Sequence, residues 1–98
     1  MKNDKVIIHA ELTLRPEFLA EVLAVAATSL ALTLQEEGCE LLMQTRKVGE
    51  PNTLVLFEVF KSREAHDWHL AQAYSKAFFA VIEGKLAGEP TVYHLEEF

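Results

Sequence analysis

The chain has 98 residues, half of them apolar, enough for one compact domain and its core but little more. A formal charge of -6 with no basic run sets nucleic acid aside, because a phosphate backbone is repelled before contact. No stretch approaches the roughly 18 uninterrupted apolar residues of a membrane span, and the opening MKNDKVIIHAE lacks the apolar centre of a secretion signal, so the expectation is a soluble, cytoplasmic protein without a membrane partner.

From Val6 to Leu14 the residues alternate, with Val6, Ile8, Ala10, Leu12 and Leu14 on one face and Ile7, His9, Glu11 and Thr13 on the other. That alternation predicts a strand. At RPEF the period changes. Pro16 suits a first helical position, Glu17 suits the positive end of a helix, and apolar residues recur at Leu19, Val22, Leu23, Ala26, Leu30 and Leu34. A long helix is expected to about Gln35, closed at EEGC by Gly38 in the left-handed conformation.

Two strands, about Cys39 to Val48 and Thr53 to Lys61, follow as an antiparallel hairpin around the turn formers GEPN, with Asn52 as a turn residue. In the second strand Leu54, Leu56, Glu58 and Phe60 share one face, while Val55, Phe57 and Val59 share the other. A small antiparallel sheet normally leaves one face wet, so the second apolar face needs a cover, most simply another copy of the chain. Ser62 suits the N-cap of a short helix through His69, and a further helix from about Ser75 to Leu86 carries Phe78, Val81, Ile82 and Leu86 at helical spacing. A last strand runs from Thr91 to about Phe98. This order predicts one α+β domain over residues 1–98, a ferredoxin-like β-α-β-β-α-β plan with an antiparallel sheet and its helices on one face. Pairing of two exposed sheet faces would make a homodimer, a dimeric α+β barrel.

The sequence contains no nucleophile elbow, no phosphate-cradling glycine loop and no dinucleotide fingerprint, so no cofactor is expected. His66 and His69, three apart, can share a helix face, but two histidines without a third ligand do not make a metal site. Cys39, the single cysteine, reads as a small buried hydrophobe. Glu58 stands out as an acid on a strand that is otherwise apolar on both faces, and a buried carboxyl needs a partner or a proton. His69 is the candidate partner. Such a pair either ties strand to helix or orients an imidazole as a general base toward a phenol or an acidic carbon. Trp68 and Tyr74 are either core or the flat walls of a ring-binding pocket, and His9 either lines a cavity or sits at its rim. His94 reads as surface.

LQEEGCELL, PNTLVLFEVFKSREAHDWH and KAFF together resemble the antibiotic biosynthesis monooxygenase superfamily, with the same order of elements over nearly the whole chain. The shared pattern is a Glu-x-Gly-Cys turn, Pro-Asn before a strand, an acid beside aromatic positions, then Ala and His in the helix. The resemblance implies a ferredoxin-like homodimer with a pocket between sheet and helices, acting on quinols or polycyclic phenols with O2 and no cofactor, because a deprotonated phenol can itself give an electron to oxygen. It implies His69 as base or substrate-orienting group, Glu58 as its partner, and Trp68 and Tyr74 as pocket walls; His9 and His66 are the further substrate-binding candidates. Tyr74 stands where many relatives carry a second histidine. An isomerase acting on a small hydroxylated metabolite and a non-catalytic small-molecule-binding module are the other expectations.

Overall fold

The computed structural model describes residues 4–98. Its elements are β1 (Val6–Thr13), a 3-10 turn (Pro16–Phe18), α1 (Leu19–Thr33), β2 (Cys39–Lys47), β3 (Glu50–Phe60), α2 (Arg63–Leu70), α3 (Ala73–Ile82) and β4 (Thr91–Leu95). The four strands form one antiparallel sheet in the order β2-β3-β1-β4. Two strand-helix-strand units interleave in that order, and the helices share one face, so the α+β ferredoxin-like plan expected from the sequence is the one observed.

The core lies between that face and the helices. Ile8, Ala10, Leu12, Leu54 and Leu56 come from the sheet, Val22 comes from α1, and Phe78, Ile82 and Leu86 pack against them. The helical stretch Pro16–Thr33 is long and apolar enough by composition to cross a membrane, with a mean hydropathy of 1.4. It carries Glu17 and Glu21, however, and its buried residues, Val22, Ala26, Ser29 and Thr33, recur at helical spacing on one side.

Several boundaries differ from the pattern, each for a local reason. The hairpin turn is Val48 and Gly49 alone, with Gly49 at φ 84°, a conformation open to glycine at little cost. Pro51 and Asn52 therefore lie within β3, where the Asn52 carbonyl accepts from the Leu14 N–H at 2.9 Å. α3 stops at Ile82 because Glu83 is extended and Gly84 takes φ 76°; Leu86 instead bridges to Leu14. Gly38 is not left-handed. Its role is proximity: a Cβ there would run into the Ala65 side chain, so only glycine lets the α1–β2 turn lie against α2. The Lys61 N–H closes that contact by donating to the Gly38 carbonyl at 2.8 Å.

Candidate active site

Sheet register sets the floor of the site. Across the helix-facing side one row reads Leu42, Glu58, Ile8, His94, and the next reads Gln44, Leu56, Ala10, Val92. The first row is half ionisable, and the second apolar apart from Gln44. Over both rows lies a cavity of about 360 Å³, roofed by His66 and His69 from α2 and by Ser75, Phe78 and Phe79 from α3. That volume falls within the range of small-molecule sites. Its inner end, at His69, Ser75 and Ser29, is buried, whereas Phe79, Val92 and His94 on the β4 side are exposed.

Helix α2 is placed by its cap. The Ser62 hydroxyl accepts from the Ala65 N–H at 3.1 Å, as the sequence suggests, and the helix turns His66 and His69 over the Phe60 ring at centroid distances of 5.1 and 4.8 Å. His69 is 8% exposed. Its Nδ1 lies 2.8 Å from Oε2 of Glu36, whose side chain is 3% exposed. The Tyr74 hydroxyl donates to the same Oε2, and Ser75 Oγ lies 3.2 Å from His69 Nε2 and 3.3 Å from Nδ1. The other Glu36 oxygen, Oε1, is buried with no partner among the described residues.

This corrects the expected pairing. The acid hydrogen-bonded to His69 is Glu36, from the turn after α1, and not Glu58, which is half-buried in the cavity wall. Glu58 lines the cavity close enough to His69 to feel its charge. Burial holds its carboxyl above the ordinary range, His69 opposes that shift, and Glu36 adds to it. Burial, and then His69, lower the His66 imidazole. Burial, followed by the bond to Glu36, pushes the Tyr74 phenol well above its usual value.

The other expected site residues separate. His66 lines the cavity. Trp68 does not: it is 57% exposed and faces a surface depression with Lys61, Ser62 and Glu64, because its place on α2 lies one residue from the buried side. Tyr74 is half-buried but turned to Glu36, away from the cavity lining. His9 lies on the opposite face of the sheet, 3.5 Å from Glu11 and beside Tyr93, as strand alternation from Ile8 requires. His94, read as surface, is exposed yet lines the cavity mouth through its register with Ile8. No group of three or more metal-ligating side chains occurs among the described residues. Glu36 and Ser75 went unread in the sequence; the Glu-x-Gly-Cys pattern contains Glu36, whereas Ser75 comes from the next helix and no spacing along α2 points to it.

The profile of the antibiotic biosynthesis monooxygenase family matches residues 5–81. The chain belongs to this family. Its fold recurs in a Caulobacter crescentus CB15 protein assigned to the same family, with 26% identity and a TM-score of 0.86 over 98% of this chain and 92% of that one. A Mycobacterium tuberculosis protein shares the fold at 24% identity and a TM-score of 0.88, over 97% and 96% of the two chains. A conserved protein from Methanosarcina mazei Go1 does so at 21% and 0.87, over 96% and 93%. No curated protein matches the chain by sequence.

Proposed function

We propose that this protein is a cofactor-independent monooxygenase that oxidises a quinol-like or anthrone-like hydroxylated aromatic compound with O2. The observation that carries the reading is the division of the cavity by sheet rows. Glu58, His66 and His69 crowd one end, while Leu56, Ala10, Val92, Phe78 and Phe79 surround the other. A planar ring with a hydroxyl at one edge fits that division, its apolar body over Ala10 and its oxygen among the ionisable groups.

His69 takes the ring hydroxyl proton, and Glu58, whose carboxyl burial holds above its ordinary range, faces the same end of the cavity. The electron-rich anion then reduces oxygen. For an anthrone-like ring, one atom of O2 becomes the new carbonyl oxygen and the other leaves as water with the two hydrogens of the oxidised carbon. The ring supplies all four electrons.

The reading includes a homodimer. On the face turned away from the helices, Leu41, Val59, Ile7 and Leu95 form one apolar row, with Met43, Phe57 and Tyr93 in the next. Leu41, Met43, Tyr93 and Leu95 are each more than a third exposed. A second copy presenting the same rows covers this face.

Oxygen uptake by the metal-stripped protein against a panel of quinols and anthrones tests the chemistry. Turnover is expected, with His69→Ala losing it by roughly 10²-fold or more while remaining folded by circular dichroism. Absence of uptake across the panel, with ligand binding retained, would move the assignment to an isomerase or a binding module.

A further inference from the structure

We propose that Glu36 is the positioning residue that fixes which nitrogen of His69 carries the proton, and that Tyr74 acts through Glu36 without touching the ligand. The inference rests on His69 being the base of the reading above, but its geometry stands apart from the identity of the substrate.

The argument begins with one oxygen atom. Glu36 Oε2 accepts the Tyr74 hydroxyl proton and also lies 2.8 Å from His69 Nδ1. With two neighbours at one buried oxygen and one of them already donating, the simplest assignment has Nδ1 as the second donor. His69 is then the Nδ1–H tautomer. Its Nε2 is left without a proton, and Ser75 Oγ, 3.2 Å from Nε2 and 3.3 Å from Nδ1, stands against the ring without singling out either nitrogen. His69 lines the cavity, so a ligand hydroxyl can approach Nε2 and give up its proton there.

The fold builds this arrangement from separate parts of the chain. Gly38 lets the turn after α1 lie against Ala65, which carries Glu36 to the inner side of α2. Tyr74, at the start of α3, then holds the carboxyl from the side away from the cavity. Tyr74 donates to the Glu36 carboxyl, and burial together with that bond holds its phenol well above the usual range. An oriented imidazole is worth much in catalysis, because the wrong tautomer presents a proton where the reaction needs a lone pair.

The test is a nitrogen-15 imidazole NMR spectrum of the wild-type protein at a pH where His69 is neutral, with His69→Gln to assign its signals. The Nδ1–H pattern is expected for His69; an Nε2–H pattern overturns the proposal. Glu36→Leu should turn His69 to a mixed or Nε2–H state, and an unchanged tautomer in a folded Glu36→Leu protein also overturns it. Should that variant not fold, the wild-type spectrum still decides. Tyr74→Phe separates positioning from ligand contact: kcat falls by about tenfold or more with KM unchanged if Tyr74 acts through Glu36, whereas a rise in KM at constant kcat places it on the ligand and sinks that half of the proposal. The Glu36 spectra need no turnover, so a failed oxygen assay leaves that half standing or falling by itself, and the Tyr74 half is then read from the His69 tautomer of Tyr74→Phe, where an unchanged spectrum overturns it.

Discussion

The two faces of the sheet are made by the same strands with the same alternation, yet they have become different surfaces. On the outer face charged pairs stand toward both ends, Lys47 with Glu11 at 3.1 Å and Lys5 with Glu40 at 2.8 Å, and an exposed, largely apolar band lies between them. On the inner face Glu58 sits in mid-sheet under helices, half-buried in the cavity wall, with its carboxyl raised by burial. An acid held in water at a rim costs little. An acid partly withdrawn from water beside His66 and His69 is perturbed as a rim acid is not, which is why the inner face is the candidate site and the outer face the proposed contact.

The largest expected effect comes from removing the support of the inner face. Phe60 is fully buried beneath His66 and His69, and Phe60→Ala should cost about 3–5 kcal/mol of unfolding free energy in urea. A loss below about 1 kcal/mol would show that α2 does not depend on this floor.

The next effect belongs to the outer face. Phe57→Asp places a charge in the middle of the row Met43, Phe57, His9, Tyr93. The expected result is a folded monomer by light scattering where the wild type is a dimer, because an unpaired charge cannot be buried between two such planes. A wild-type monomer, or a Phe57→Asp dimer, would break the contrast between the faces.

How much of this is legible in the sequence depends on range. Strand alternation by itself puts Ile8, Leu56 and Glu58 on one face and Val55, Phe57 and Val59 on the other, and the Ser62 cap locates the start of α2. Register adds what periodicity lacks: it sets His94 beside Ile8, and so at the cavity mouth, whereas alternation already puts His9 on the far face. The partner of His69 is hidden for a different reason. Glu36 lies 33 residues away in a turn, and its approach depends on the missing side chain of Gly38, which local pattern reads only as a helix stop. Trp68 misleads because one step along a helix turns a side chain by about 100°, enough to carry it from the cavity side to solvent.

The smallest effect sharpens the comparison most, because it reads the electrostatic state of Glu58 directly. Its carboxyl holds a proton to higher pH in the native protein than in the unfolded chain. Between the ordinary glutamate range and that raised native value, the native state binds more protons, so stability falls as pH rises and then levels off. Glu58→Gln keeps the shape and a donor but removes this loss. The variant should therefore melt at a higher temperature than the wild type near neutral pH, with the difference shrinking toward acid, where the wild-type carboxyl is protonated in both states. The same substitution at Glu11 on the outer face should show no such gain, since Glu11 is held below its usual range by Lys47 and His9. If Glu58→Gln instead lowers the melting temperature at neutral pH, Glu58 is ionised and satisfied in solution, and the inner face loses the feature that distinguishes it.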